Sequence, residues 1–577
     1  MATNPRTDKF PASGVEADPI ATEVIRNAFN SIADDMSAVL SRSAYSMIIY
    51  ECHDFGIALF DDHARLLGQY AGLPLFVGGL DSGLIEVLRK YGVDDLRDGD
   101  IFTINDSYIT GGHLNDVDVI GVIRHKGELV GFSAVRAHWL DIGTASAGFP
   151  VNTTDIYQEG LRWGATLIMR DGEWIQDVLD ILLLNSRTRR ALQGDLSAMI
   201  AAIRMGNRRF KELLDRFGPE VVKSATGHFL ELTEKRYRDF IGKIPDGEYF
   251  AEGYSDNDGI TDDPVEVRVR VQVAGDQITV DTTGSSRQRA GNLNTGLANT
   301  VSAVRLALSF LFPDPDPRAN HGSFMPLRVV AEPGSIFNAT EPAPCMRPHP
   351  VMLLIDLIIK ALAPVLPTRV AAGLPGDSWN IFIMGEHPDT GEFFMSGEAL
   401  TGGWGANHAA DGESTLIHSA AGDFRNIPTE ILESRFPFLV TRCEFGKNSG
   451  GAGRLRGGLN LVKEYELLAP ARVTLHFDRS RMPQWGLFGG APGAAPKVTI
   501  VPADGSAPYH VNKVEALSMS AGDRIIAETG GGGGYGDPTK RNRDLVRADL
   551  ERGYITPEHA RPVYQYDPSA EPGESTP

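Results

Sequence analysis

The spacing of apolar residues changes along this chain, and each change excludes a class of folds. Asp18-Pro19 reads as an N-cap followed by proline at the first helical position, and Ile25, Phe29, Ile32, Met36 and Val39/Leu40 follow at intervals of three and four. That pattern predicts one helix of about six turns with a single buried stripe. Phe55–Phe60, Ile101–Ile104, Val117–Ile123 and Leu129–Val135 read as strands, with His125-Lys126-Gly127 as a hairpin turn. From Trp174 to Phe217 the spacing is helical again, through Val178, Leu182, Leu192, Leu196, Ile200, Ile203, Phe210 and Leu214, and residues 228–241 continue as helix. Val265–Val271 alternates strictly, which predicts a strand, with Ile278–Asp281 as its partner. Helices are expected at 297–311 and 351–362, and from Gly402 onward glycine becomes dense and the strands short. There is no regular strand–helix–strand rhythm, so a doubly wound sheet is excluded and the expected class is α+β (mixed α/β), multidomain.

A chain of 577 residues is too long for one core. The expected division is a loose tail over 1–17, a domain over 18–245, a central α+β domain over 246–400, a Gly-rich β-containing region over 401–545 and a C-terminal tail over 546–577. The net charge of −20 argues against nucleic acid, whose phosphates require clustered Lys and Arg, and against an anionic membrane surface. Cys52, Cys345 and Cys443 are too few and too scattered for a disulfide framework or a zinc ribbon, so a cytoplasmic location is expected. The N-terminal stretch carries no apolar run of a secretory signal, and Val351–Leu366, interrupted by Asp356 and Lys360, is too short and too charged to span a bilayer.

Residues able to do chemistry crowd between positions 50 and 160. His113 lies in a glycine-preceded loop three residues before Asp116, and His138 follows a strand three residues before Asp141. Imidazole and carboxylate together suit Mn, Fe, Zn or similar ions, which polarise a carbonyl or activate water. Asp54, at the start of a strand, can join them. Taken singly, each pair is a weak signal, since His and Asp cap turns in ordinary proteins; Asp54 can cap its strand, Asp118 and Glu159 can be surface carboxylates, and His53 a packed neighbour. Convergence on one sheet is what favours a metal site. Arg136, Arg162 and Arg187 are candidates for holding phosphate, or else structural ion-pair partners.

The run Gly530–Gly534 lacks the lysine and the following helix of a P-loop, so it reads as a backbone platform close to a partner or substrate. No GxSxG elbow is present, and Cys52 and His53, as neighbours in an extended segment, point to opposite faces.

The order of motifs resembles the hydantoinase B/oxoprolinase family. The matching segments are ECHDFGIALFD (51–61), NDSYITGGHLNDVDVI (105–120), GELVGFSAVRAHWLDIG (127–143), TDIYQEGLR (154–162), NSRTRRALQGDLSA (185–198), NLNTGLANT (292–300), NHGSFMPLRV (320–329), GAGRLRGGLN (451–460) and GGGGGYGDP (530–538). The resemblance implies a metal centre of Mn, Zn or Fe held by Asp54, His113, Asp116 and His138, with Asp141, Arg136 and Glu159 as catalytic-site residues. It also implies an ATPase partner of the hydantoinase A type that binds ATP and Mg, assembled as a hetero-oligomer with two copies of each subunit. The implied substrate is a small cyclic amide: a hydantoin, an oxoproline-like ring or a lactam. A ketone carboxylase subunit and a non-catalytic scaffold for the ATPase are the alternatives. The chain departs from the family pattern at Asn115, at Phe76 and at Trp139, and it lacks a threonine ahead of His113.

Overall fold

The computed structural model describes residues 18–569 apart from 71, 145, 147, 313–317 and 348; the expected tail over 1–17 and residues 570–577 lie outside the described residues. The chain forms two compact units, one comprising Met1–Glu252, Val267–Ala361 and Ala420–Arg425, the other Gly253–Glu266, Leu362–Ser419 and Asn426–Pro577. The expected central domain over 246–400 is therefore divided between the units, and the first unit takes six residues from beyond position 400.

The first unit is built on a seven-stranded antiparallel sheet. Its strands are β1 (Phe55–Asp61), β2 (Leu66–Gln69), β3 (Ile101–Ile104), β4 (Asp116–His125), β5 (Glu128–His138), β6 (Thr166–Arg170) and β7 (Glu173–Trp174). They lie in the order β2-β1-β5-β4-β3-β6-β7. Strands β4 and β5 form the expected hairpin, whose turn residues Lys126 and Gly127 have φ of 50° and 90°. A turn with two positive φ angles twists in the same sense as the strands it joins.

Alternation puts successive side chains on opposite faces of the sheet. Ile57, Leu59, Val117, Val119 and Val135 join Ile25, Phe29, Met36, Ile203 and Phe210 in one core, under the helices Pro19–Ser43 and Arg189–Phe217. Ala58, Phe60, Ile120, Val122 and Phe132 join Leu80, Leu84 and Val87 of the helix Leu80–Tyr91 in another. The first helix starts as its sequence predicts, with the Asp18 carboxylate accepting from the Ile20 and Ala21 amides. The helical region expected from Trp174 to Phe217 is broken at Asn185–Thr188 into Gln176–Leu184 and Arg189–Phe217.

Four further strands form a second sheet: β8 (Gly247–Ser255), β9 (Val265–Ala274), β10 (Gln277–Asp281) and β11 (Leu327–Val330). β9 buries alternate residues along its length, and β10 is its antiparallel partner, as the sequence predicts.

The second unit holds a four-stranded and a five-stranded sheet joined by glycine-rich segments. Gly530–Gly534 is buried and packs against the backbone of its own unit. This corrects the expectation of a platform facing a partner or substrate. Gly403 N donates to Gly530 O (3.0 Å), Gly451 N to Gly532 O (2.8 Å), Gly533 N to Gly373 O (3.1 Å) and Ala406 N to Gly533 O (2.9 Å). A Cβ on Gly532 would land on the Trp404 carbonyl, so these segments lie closer together than any side chain allows.

The tail expected over 546–577 is also corrected. Arg543–Glu551 and Pro557–Tyr564 are helices, and Val546, Ile555, Ala560, Tyr564 and Tyr566 pack with Ala452. Charged groups do not follow the sequence into solvent here: Asp549 is buried and accepts from Arg541 (2.8 Å) and Arg456 (3.2 Å). No helix among the described residues is long and apolar enough to cross a membrane.

The packing predicts that Gly532→Ala destabilises the second unit by about 3 kcal/mol or more, because backbone must move. Gly164→Ala, where a Cβ meets nothing within 4 Å, is the neutral control. Thermal unfolding of the two variants beside wild type checks this, and equal midpoints would contradict it.

Candidate metal centre

Three strand ends meet at one end of the seven-stranded sheet. Asp116 opens β4 and is the register partner of His138, which closes β5. On the other side of His138 runs the start of β1, and the His138 amide donates to the Asp54 carbonyl (3.1 Å). Cross-strand partners share a face, so the Asp116 and His138 side chains are neighbours by construction. His113 arrives from the preceding loop, whose turn is closed by the Asp116 amide donating to the His113 carbonyl (2.9 Å). Gly111 has φ of 86°, and a Cβ on Gly112 would stand 2.6 Å from Asp116 Oδ2. The two glycines thus let the His113 loop fold tightly over the Asp116 carboxylate.

His113, Asp116 and His138 each offer a ligand atom within 4.8 Å of the other two. Asp116 Oδ1 lies 3.5 Å from His113 Nε2 and 3.5 Å from His138 Nδ1. That is long for a hydrogen bond, whereas bonds of about 2.1 Å to a tetrahedral centre separate ligand atoms by about 3.4 Å. Asp116 Oδ1 and His113 Nδ1 are buried without a hydrogen-bond partner. The donor set and its spacing therefore fit a divalent ion. Phe149 packs against both imidazoles, with ring centroids 4.7 and 5.2 Å away.

The electrostatics keep the set ready to coordinate. Burial pulls His113 down to about 4, against the pull of Asp116, and His138, His349 and Arg136 lower it further. A neutral imidazole keeps the lone pair that a ligand needs. Burial opposes charge on Asp116, but His113, His138 and Arg136 outweigh it and hold the carboxyl below its usual range. Burial pushes Asp54 up to about 7, with His138 opposing and Asp116 adding to the rise. Asp54 thus stands beside the cluster, though outside the set that meets within 4.8 Å.

The remaining candidates are placed differently. Arg136 is buried and makes a two-pronged bond to Asp118, Nε to Oδ1 at 2.5 Å and Nη2 to Oδ2 at 2.9 Å. Its guanidinium serves the β4–β5 pair, two residues into the sheet from Asp116 and His138. Asp141 is buried and bound by Arg187, through the backbone amide (2.5 Å) and Nη1 (2.6 Å), so this pair is separate from the three-residue cluster. Arg162 bonds Glu341 at 2.7 Å and lies over the Tyr108 and Tyr157 rings. Trp139 is turned into the core against Met199, and Phe76 packs under Arg136.

Two groups near the site escape sequence reasoning. His349, buried, takes part in the electrostatics of His113, and its Nδ1 lies 3.1 Å from Arg347 Nη2. Arginine only donates, so that Nδ1 accepts. Asp423, from the returning segment, reaches His53 and Tyr70. The only signal for His349 is a histidine between prolines at the start of a helix.

Glu159 holds the segment leading to His349. Fully buried, it accepts from the Cys345 amide (2.8 Å), the Met346 amide (2.9 Å) and the Thr153 hydroxyl (2.9 Å). Burial pushes its carboxyl up to about 8, against these donors, from an ordinary value of 4.5. Between those values the folded chain binds a proton that the unfolded chain releases. The group's contribution to stability is therefore full below the unfolded value and lost as pH rises through about 8. Wild type is expected to lose stability relative to Glu159→Gln as pH rises from about 5 to about 8.5. Urea unfolding across that range checks it, and a pH-independent difference would contradict it.

A model of the hydantoinase B/oxoprolinase family matches residues 18–538. The caprolactamase subunit beta of Pseudomonas jessenii is 30% identical over 565 residues, covering 95% of this chain and 96% of that protein. The crystal structure of the ATP-dependent caprolactamase from Pseudomonas jessenii superposes with a TM-score of 0.89 at 29% identity, over 97% of this chain and 98% of that one. A nucleotide-free acetone carboxylase structure shares the fold, with a TM-score of 0.85 at 19% identity over 95% of this chain and 79% of that one.

Proposed function

Because the chain belongs to the hydantoinase B/oxoprolinase family, we propose that it is the metal-bearing subunit of an ATP-dependent amidohydrolase that opens a cyclic amide. The observation that carries this reading is the His113–Asp116–His138 cluster, in which Asp116 Oδ1 lies 3.5 Å from a nitrogen of each imidazole without a hydrogen-bond partner. Mn, Zn or Fe fits these donors, and Asp54 completes the set as a fourth ligand. When bound, such an ion polarises a carbonyl or phosphoryl oxygen and activates water.

An unstrained cyclic amide is a poor electrophile because resonance feeds nitrogen density into its carbonyl. A partner subunit of the hydantoinase A type, holding ATP and Mg, would overcome this by phosphorylating the oxygen. A relative bearing the name subunit beta, and the ATP dependence of the caprolactamase, support such a partner. An assembly with two copies of each subunit accompanies this reading.

Within this chain, His113 and His138 supply nitrogen donors and Asp116 the charge. Phe149, against both rings, limits water at the ligands. Arg136 and Glu159 act on the site by position: Arg136 through Asp118, and Glu159 through the segment that carries Arg347 and His349, while Asp141 is held by Arg187.

Elemental analysis of the purified chain tests the proposal. Stoichiometric Mn, Zn or Fe is expected in wild type and loss of it in His113→Ala and His138→Ala, with ring-opening activity toward lactams and hydantoins, in the presence of the ATPase partner, lost alongside. A folded wild type that takes up none of these ions would overturn the metal centre and leave a scaffold for the ATPase as the better account.

A further inference from the structure

We propose that Asp423 is a positioning residue for the metal centre, holding the His53–Asp54 bend so that the Asp54 carboxylate can reach the ion; this rests on the reading of Asp54 as the fourth ligand. Asp423 lies more than 350 residues from His53 and Tyr70 in sequence, and its carboxylate is also met by Arg425 Nη2 (3.2 Å), in the segment Ala420–Arg425 that belongs to the first unit while the chain on either side belongs to the second.

The bend is under conformational tension. His53 has φ of 60°, in the left-handed region that a non-glycine residue adopts only when surroundings hold it there. The Phe55 amide donates to the His53 carbonyl (2.8 Å), closing a three-residue turn with Asp54 at its apex. The Asp54 amide donates to Ile48 O (2.9 Å), and its carbonyl accepts from His138 N (3.1 Å). With both peptide groups of Asp54 fixed, the direction of its side chain depends on the turn that His53 begins.

Asp423 and its neighbours hold that turn from outside. The Arg425 amide donates to the Cys52 carbonyl (2.9 Å), one residue before His53, and the Asp423 amide to the Gly72 carbonyl (3.1 Å). Gly422 has φ of 52°, and a Cβ there would strike the Gly72 carbonyl, so the segment lies close against Gly72. The Asp423 carboxylate oxygen Oδ2 accepts from the Tyr70 hydroxyl (2.8 Å) and lies 3.3 Å from His53 Nδ1. Tyr70 in turn stacks on Phe55 at 5.6 Å, and the His53 ring packs on Phe55 at 5.7 Å. One carboxylate thus ties together the side chains on both sides of Asp54. Without it, the turn keeps its backbone bonds but loses the side-chain restraint on His53 and Tyr70 that steadies the Asp54 side chain.

The test is a Mn2+ titration of the metal-depleted full-length chain followed by electron paramagnetic resonance, which reads affinity from the free ion and ligand geometry from the bound spectrum. Asp423→Asn is expected to weaken Mn2+ binding about 10–100-fold, the range for lost partners of ligating groups, and to change the bound spectrum. Tyr70→Phe is expected to shift both in the same direction, and it decides the question if Asp423→Asn fails to fold. Asp215→Asn is the control: it breaks a comparable carboxylate–imidazole contact with His125 (2.8 Å) at the far end of β4 and is expected to leave affinity within about twofold, since it touches no ligand. Wild-type affinity and spectrum in folded Asp423→Asn, or an equal loss in the control, would overturn the inference while leaving the metal centre standing. A wild type that binds no Mn2+ would overturn both.

Discussion

The arrangement of the site depends on one buried contact, the bond between Asp118 and Arg136. Both residues are fully enclosed, and they are register partners on β4 and β5. Slipping the hairpin by one residue would send every side chain to the opposite face and strand two charges in apolar surroundings. Removing one partner of such a pair costs about 3–5 kcal/mol. The same register puts Asp116 opposite His138. Geometry at the strand ends is therefore set by an ion pair that takes no part in coordination. Gly83, whose Cβ would stand 2.7 Å from Asp118 Oδ2, gives that pair its room.

The second constraint is charge. Arg136 and Asp118 neutralise each other, which leaves the carboxylate of Asp116 between the imidazoles of His113 and His138. Asp54, raised to about 7, carries a proton part of the time near neutrality. In the proposed reading a divalent ion would supply the compensation that the protein withholds, and its arrival would favour the ionised form of Asp54. The site is thus complementary to a cation by what it lacks as much as by what it presents. Burial on the protein side makes the complementarity stronger than the same groups would show in water.

What the sequence makes legible follows from the range of each interaction. The Pro19–Ser43 helix, the strict alternation of β9 and the β4–β5 hairpin are local patterns, and they appear where the spacing puts them. Asp116 and His138 are accessible for the same reason, since hairpin pairing brings the ends of β4 and β5 together, and His113 is only three residues ahead of Asp116. The placing of His349 beside His113, and of Asp423 against His53 and Tyr70, is not, because these meetings span hundreds of residues and no local pattern encodes them. Arg136 shows the opposite failure. An arginine beside a metal motif invites a substrate role, and only its register partner reveals that the guanidinium is already committed to Asp118. Trp139 and Phe76, departures from the family pattern, are occupied with packing against Met199 and under Arg136.

Glycine carries the same lesson into the second unit. A run of five glycines announces a close approach but does not say to what. In Gly531–Gly534 the answer is other backbone: Ser449, Trp404, Trp485 and Ala452 present their carbonyls where Cβ atoms would otherwise be, while Gly530 makes room for the Gln484 and Trp379 side chains. Such packing replaces side-chain cores with hydrogen bonds between main chains, so its rigidity derives from groups that every residue possesses. At Gly112 the need for space serves a carboxylate instead, admitting Asp116 under the His113 loop. The two uses share one physical basis, the absence of a Cβ, and differ only in what fills the space. For that reason glycine density in a sequence locates tight packing, while the chemistry must be read from the polar group that the glycine admits.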